Sequence, residues 1–227
     1  MGCVGLRMLT VQIPNKKAQL KVWGWPNVFL GISHAIDTFN RWVSRLAVWF
    51  VLLAALLSAG NAFFRYGIVE IIDLARQYKQ LGALQTVVDG YGNNSNAFLE
   101  AQWYMFAGIA FLGAAYTLKV NEHVRVDLIY GGVSERTRTW IDLLGGIFCL
   151  VPFCVVMIYV SWPWFVDAWR NNEMSTNAGG LVRWPVKLIT PIGFALVLLQ
   201  GISEIIKCVA ALTTDYVREH AYEKPLQ

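Results

Sequence analysis

The chain has 227 residues, of which 56% are apolar and only 15% are charged, and its mean hydropathy is +0.44. A typical soluble domain contains about 25% charged residues, so this chain is short of the side chains that keep a surface in water. The composition excludes a disordered chain and disfavours a single water-soluble domain. The net charge of +4 comes with no clustered basic face, so no nucleic-acid partner is predicted.

Four stretches of the sequence contain no Asp, Glu, Lys or Arg: 46–64, 101–118, 143–166 and 188–203. A helix needs about 20 mainly apolar residues to cross a bilayer. The first three stretches are long enough, and the fourth is long enough if its helix continues to about Leu212. Because a helix satisfies its own backbone hydrogen bonds within lipid, the sequence predicts an all-α membrane protein. Its four transmembrane helices are expected at about 46–64, 99–119, 143–166 and 187–212.

The distribution of basic residues predicts the orientation of these helices. Of the 19 Lys and Arg, 13 fall in the N-terminal segment, the second loop and the C-terminal tail, against 6 in the first and third loops. Since basic residues favour the cytoplasmic side, both termini are predicted to be cytoplasmic. The chain then divides into a cytoplasmic segment (1–28), a membrane domain (29–212) and a cytoplasmic tail (213–227). No cleaved signal peptide is expected at its start.

Two segments outside the charge-free runs have helical periodicity. Apolar residues recur every three or four positions from Phe29 to Leu46, which predicts an amphipathic helix at the membrane interface, with packing against a partner protein as the alternative. The first loop carries a periplasmic insertion (67–93) in which a second amphipathic helix is expected over about 68–88. This helix should end in the turn-rich run 89–94. A cap at 94–96 should then start the second span, with Glu100 in its first turn.

The sequence carries no motif of known enzyme chemistry. It contains no Ser/His/Asp arrangement, P-loop or metal-ligand spacing, so neither catalysis nor a cofactor is expected. A haem-binding cytochrome subunit would need histidine pairs at membrane depth. The three histidines, His34, His123 and His220, all lie outside the predicted spans. The four cysteines form no CxxC pair, which disfavours a disulfide framework or zinc site.

Polar residues near the end of the fourth span are the first candidates for function. Gln200, Ser203, Glu204 and Lys207 share one helix face, and Glu204 and Lys207 can pair three residues apart. Ionisable groups within a membrane segment usually face protein or water. The side chains of this stripe therefore either extend their polar ends to the water at the membrane surface or contact a partner protein.

A second candidate, the segment 121–127, follows the second span and reads Asn-Glu-His-Val-Arg-Val-Asp. If it is extended, His123, Arg125 and Asp127 lie on one side. If it is helical, His123 and Asp127 share a face four residues apart. The residues alone indicate an interfacial turn with internal ion pairing.

Several further segments carry a family resemblance when they are taken in order. They include Glu-Ala-Gln-Trp at 100–103, Gly-Ala-Ala-Tyr-Thr-Leu-Lys at 113–119, the segment 121–127 and Gly-Gly-Leu-Val-Arg-Trp-Pro at 179–185. Matching segments at 134–142, 191–194 and 199–207 keep the same order. Together they resemble the small membrane subunit (DctQ type) of tripartite ATP-independent periplasmic (TRAP) transporters over about 36–212. The first loop is longer than is usual in that family.

The resemblance implies a non-catalytic scaffold in a bacterial inner membrane. Its partners would be a large multi-span permease subunit, which moves an organic acid with an ion gradient, and a periplasmic substrate-binding protein. The substrate implied is a carboxylate or dicarboxylate. The alternatives are a standalone channel and a membrane anchor for another inner-membrane complex. The positions expected to be structural or to contact a partner are Glu100, Trp103, His123, Arg125, Asp127, Arg183, Gln200, Glu204 and Lys207.

Overall fold

A computed structural model of the protein describes residues 25–78, 82–121, 132–214 and 216–217. These ranges contain five α-helices: α1 (Trp25–Tyr78), α2 (Gly82–Val120), α3 (Glu135–Gly145), α4 (Val151–Arg170) and α5 (Trp184–Thr213). Four segments are long and apolar enough to cross a membrane: Val28–Gly67, Gly90–Val120, Glu135–Arg170 and Trp184–Thr213. The predicted fold class, an all-α protein with four membrane-spanning helices, is confirmed.

A π-helical turn, Gly146–Leu150, joins α3 to α4 without a break. Pro152 is the second residue after this turn. Proline has no backbone N–H, and a π-helical turn relaxes the helical hydrogen-bond register at the point where one donor is missing. The two helices therefore form one continuous rod that includes the third span.

The first two helices form a long antiparallel hairpin. The ammonium group of Lys119 lies 3.7 Å from the carboxylate of Asp37 at one end, and the hydroxyl of Tyr91 donates to Asn61 Oδ1 over 2.7 Å near the other. α1 has 54 residues, which corresponds to about 80 Å at 1.5 Å per residue. Since the hydrocarbon core is only about 30 Å thick, part of the hairpin extends beyond it.

The prediction for the first loop is wrong in its boundaries. Residues 68–78 belong to α1 and residues 82–88 belong to α2, while 79–81 lie outside the described residues. The run 89–94 is helical instead of forming a turn, and 94–96 lie inside α2 instead of capping it. Within α2, Asn94 Nδ2 donates to the carbonyl of Gly90 over 2.8 Å, and the hydroxyl of Ser95 donates to that of Gly92 over 3.2 Å. These side chains therefore bond back to their own helix, which removes the competition that usually favours a turn.

The N-terminal amphipathic segment is helical, but it does not form a separate helix. It runs into the first span as part of α1. Its apolar residues Phe29, Ile32 and Phe39 are about half exposed, whereas Asp37 and Asn40 on the polar side are buried. The polar side thus packs inward, and the apolar side is left for lipid.

The helix at the centre of the fold is α5. It contacts α1, α2, α3 and α4, and 39% of its most apolar stretch is buried, against 11–17% for the other three spans. Close approach to α2 depends on Gly193, because a Cβ atom there would lie 2.5 Å from the Cβ of Phe111. The fourth span extends to Thr213, beyond its charge-free run, in agreement with the predicted extension.

Candidate functional site: two polar clusters between helices

The first polar cluster joins α1, α2 and α5 and is called the Asp37 cluster. It consists of Ser33, Asp37, Asn40, Lys119, Gln200, Ser203, Glu204 and Lys207. Lys207 Nζ lies 2.8 Å from Asp37 Oδ2 and 2.8 Å from Glu204 Oε1, and Lys119 Nζ lies 3.7 Å from the same Asp37 oxygen. The side chains of Lys119, Asp37 and Lys207 are 3%, 6% and 11% exposed. Two ammonium groups therefore neutralise two carboxylates away from water.

Neutral side chains complete the hydrogen bonding of this cluster. Gln200 Nε2 donates to Asp37 Oδ1 over 2.9 Å and to Glu204 Oε1 over 3.0 Å, while its own carbonyl accepts from Asn40 Nδ2 over 2.8 Å. The hydroxyl of Ser203 donates to Asp37 Oδ1 over 2.8 Å. Asp37 therefore accepts from Lys207, Gln200 and Ser203 of a single neighbouring helix. Such bonds fix the rotation of α1 against α5, because turning α1 would withdraw Asp37 from all three donors at once.

The predicted stripe on α5 is thus turned inward. Gln200, Ser203 and Lys207 are buried, and they contact α1 of the same chain. On α1, Ser33, Asp37 and Asn40 lie at i, i+4 and i+7, on the side of the amphipathic segment that is opposite its apolar residues. The residues that they meet on α5 lie at i, i+3 and i+7: Gln200, Ser203 and Lys207. Two polar stripes of helical spacing are the sequence signal that could pair these helices.

The second polar cluster joins α2 to the loop between α4 and α5 and is called the Glu100 cluster. It consists of Glu100, Glu173, Ser175, Asn177, Arg183 and Lys187. Glu100 is 5% exposed. Its Oε2 accepts from the backbone N–H of Leu181 over 2.7 Å, and its Oε1 accepts from Asn177 Nδ2 over 2.9 Å and from the hydroxyl of Ser175. One carboxylate on α2 therefore satisfies three donors of the loop.

Within the same loop, Glu173 binds two basic side chains. Its carboxylate pairs with Lys187 at the start of α5 and lies 3.6 Å from Arg183 Nη1, and the backbone N–H of Arg183 donates to the Glu173 carbonyl over 2.8 Å. The hydrogen bond from Lys187, together with the positive charges of Lys187 and Arg183, holds the pKa of Glu173 below its ordinary value. Lys187 Nζ also lies 4.7 Å from the ring centre of Trp164 on α4. The ion pairs thus hold the loop to the start of α5, and the cation–π contact joins α5 to α4.

The loop also contacts α2 through its backbone. Asn96 Nδ2 donates to the carbonyl of Ala178 over 2.9 Å, and the hydroxyl of Tyr104 donates to that of Val182 over 3.1 Å. Gly179 has a φ of +68°, and a Cβ atom there would lie 1.7 Å from the backbone oxygen of Asn93. Only glycine allows this turn and this approach together.

The predicted site residues fall into three groups. Trp103 on α2 is 62% exposed. His123, Arg125 and Asp127 lie outside the residues that the structure describes. Glu100 and Arg183 belong to the Glu100 cluster, and Gln200, Glu204 and Lys207 belong to the Asp37 cluster.

Both clusters are built for holding helices together. Their carboxylates are engaged by basic or amide groups of other elements, and no group of three His, Cys, Asp or Glu in the described ranges could hold a metal ion. Four apolar spanning helices joined by buried polar contacts define an integral membrane protein.

Comparison with known proteins gives the family. Residues 95–211 match the DctQ component family of tripartite ATP-independent periplasmic transporters, and the chain belongs to this family. Its members are transporter components. The matched range includes α5, the α4–α5 loop and most of α2, and therefore the Glu100 cluster and the α2 and α5 parts of the Asp37 cluster.

A curated relative supports the assignment at modest identity. The chain is 27% identical over 110 residues to the C4-dicarboxylate TRAP transporter small permease protein DctQ of Pseudomonas aeruginosa, which covers 47% of this chain and 50% of the relative. The chain thus spans about half the length of the curated relative that it matches. No solved structure matches it.

Proposed function

We propose that this chain is the small permease subunit of a TRAP-type secondary transporter and acts as a scaffold for a large subunit that moves the solute. The observation that carries the proposal is the pairing of buried charge within the chain. Lys119, Lys207 and Asp37 are nearly inaccessible, and each is bound to another helix of the same protein. Ionisable groups that bind an ion or a proton in transport need access to water. Here they are used to hold α1, α2 and α5 together.

The scaffold role is also supported by the exposed surface. Large apolar side chains of α1 and α4, among them Trp49, Phe63 and Tyr159, are 61–78% exposed. A rigid bundle with so much apolar surface can lie in lipid and present one side to a larger membrane protein. The partners proposed are therefore the lipid bilayer, a large multi-span permease subunit and a periplasmic substrate-binding protein.

The transported compound proposed is an organic acid, either a carboxylate or a dicarboxylate, taken up across the bacterial inner membrane with an ion gradient. The support is family membership and the name of the Pseudomonas relative, which is a C4-dicarboxylate transporter subunit. The small subunit would not bind this compound itself.

Co-purification and transport test the proposal together. A tagged full-length chain, extracted from membranes of its own bacterium in mild detergent, should recover a larger polytopic protein. Deletion of its gene should abolish uptake of the organic acid, and the restored gene should return it. The matched control is the tagged chain with Asp167→Asn, an exposed carboxylate at the end of α4, which should behave as wild type.

Three results would contradict the proposal. The chain alone could move the solute in liposomes, which would make it a channel or carrier. Uptake could continue unchanged without it. The recovered partner could belong to an unrelated enzyme complex, which would make it a membrane anchor.

A further inference from the structure

A groove runs between α1 and α2. Its volume is about 600 Å³, within the range of about 300–1,000 Å³ that is typical of ligand sites. α1 contributes the side from Arg41 to Val51, and α2 contributes the side from Ile109 to Thr117. Both sides belong to segments that are apolar enough to span a membrane, so the groove is open to lipid along its length.

The groove is polar at one end and apolar at the other. Arg41 and Arg45 mark the polar end, together with the hydroxyl-bearing Ser44, Tyr116 and Thr117. The apolar end is lined by Val48, Val51, Ile109 and Ala110. The two helices are antiparallel, so both sides change from polar to apolar at the same level. This is the profile of a phospholipid, with its charged phosphate above its acyl chain.

The dimensions of the groove are shorter than one leaflet. From Arg45 at its polar end to Val51 at its apolar end the groove follows six residues of helix, which is about 9 Å. One leaflet contributes about 15 Å of the hydrocarbon thickness of about 30 Å. The groove would therefore hold the part of an acyl chain that is nearer to the headgroup.

The positive charge at the polar end of the groove favours an anionic headgroup. The side chains of Arg41 and Arg45 are exposed, and they make no ion pair with any other residue in the described part of the chain. A guanidinium group binds phosphate through two parallel hydrogen bonds. By contrast, the lysine at this level, Lys119, is buried against Asp37. Among the described residues that line the groove, the two arginines are thus the cations that an anionic lipid can reach.

We propose that this groove is a binding site for an anionic phospholipid, with Arg41 and Arg45 on the headgroup phosphate and an acyl chain against the apolar walls. The small residues Ala110, Gly113 and Ala114 make the space for the chain. A Cβ atom at Gly113 would meet no atom within 4 Å, so the backbone there faces the open groove. The bound lipid would fill a surface defect between the two longest helices.

Native mass spectrometry of the full-length chain tests the proposal. The delipidated protein in detergent is titrated with dioleoylphosphatidylglycerol and, separately, with dioleoylphosphatidylcholine, which carries the same acyl chains without net charge. Wild type should prefer the anionic lipid. The double variant Arg41→Gln/Arg45→Gln should bind it about 30-fold more weakly, since each basic residue near the headgroups contributes about 1 kcal/mol.

Two further variants separate the parts of the site. Gly113→Leu should reduce binding of both lipids, because its side chain would occupy the acyl-chain space while residue 113 stays helical. Arg136→Gln, an exposed arginine at the start of α3, is the matched control and should bind like wild type. Circular dichroism and a single elution peak show that each variant is folded. If Gly113→Leu fails to fold, the arginine pair still decides the result.

Other outcomes would overturn the proposal. Equal binding of phosphatidylglycerol by wild type and the arginine double variant would remove the headgroup contact. Displacement of phosphatidylglycerol by millimolar inorganic phosphate would indicate a free-anion site. Gly113→Leu could also leave lipid binding unchanged while a co-purifying membrane protein is lost. That result would assign the groove to a helix of the lost protein.

Discussion

Replacing Asp37 by Asn tests whether the Asp37 cluster holds the helices together. The substitution keeps the size of the side chain but removes the charge that faces Lys207 and Lys119. It also places an amide among the side chains of Gln200, Ser203 and Lys207, which all donate hydrogen bonds to Asp37. Of the two carboxylates that Lys207 contacts, only that of Glu204 would remain.

The expected cost follows from the burial of these groups. Asp37 and Lys207 are only 6% and 11% exposed, and removing one partner of a buried ion pair costs about 3–5 kcal/mol. For a chain of this size, 1 kcal/mol corresponds to a change of about 2–4 °C in melting temperature. We therefore expect Asp37→Asn to melt about 10 °C below wild type in detergent.

Thermal unfolding followed by size-exclusion chromatography measures this change. Asp167→Asn is the control for loss of an exposed carboxylate, and it should stay within about 0.5 kcal/mol of wild type. The double variant Asp37→Asn/Lys207→Met restores neutrality, so its loss should be smaller than the sum of the two single losses. A single variant as stable as the control, or strictly additive losses, would show that the cluster does not join the helices.

The other predictions concern the α4–α5 loop and the topology. Gly179→Ala should destabilise the protein by more than about 2 kcal/mol, because its Cβ atom would clash with the Asn93 oxygen and its φ is positive. The control is Gly60→Ala, which lies in open space on α1 and should not destabilise the protein. Equal melting temperatures of the two variants would contradict the clash. The lowered pKa of Glu173 means that its pairing with Lys187 contributes stability above the ordinary pKa of about 4.5, and that this contribution is lost as the pH falls below that value. Glu173→Gln should therefore melt below wild type at pH 7, and the difference should shrink as the pH is lowered below 4.5. A difference that stays constant would refute the assignment. Reporter fusions at the two chain ends should both report a cytoplasmic location, and a periplasmic signal from either would overturn the predicted orientation.

The spanning helices could be predicted from the sequence because lipid restricts composition more strictly than a soluble core does. Charge cannot enter a bilayer without a partner, so each span leaves a run free of Asp, Glu, Lys and Arg. The fourth run looked short because Glu204 and Lys207 interrupt the apolar sequence, yet the helix continues through both to Thr213. Lys207 pairs with Glu204 on the same helix and with Asp37, which lies 170 residues away in the chain.

The helix boundaries around the first loop could not be predicted in the same way. The run 89–94 contains glycines and asparagines, which favour turns when the backbone is free. In the structure the run lies inside α2, where the side chain of Tyr91 bonds to Asn61 of α1 and its ring stacks on Phe64 and Phe98. Packing against a neighbouring helix outweighs local preference here, and such packing is not visible in a short sequence window.

The orientation of α1 follows from the sign of its charges. Asn40 is 1% exposed and Arg41 is exposed, although they are consecutive, because each residue turns the helix by about 100°. A rotation by one position would move Arg41 towards Lys207 and would withdraw Asp37 from it, which replaces attraction by repulsion in a buried place. Sequence periodicity shows that the two kinds of residue lie on different faces, but it does not show which face meets protein. In a soluble protein the apolar face of a helix packs inward. In α1 the polar face packs inward instead, because Asp37 lies opposite two lysines. Arg41 and Arg45 are left on the lipid side, where a phosphate can bind them.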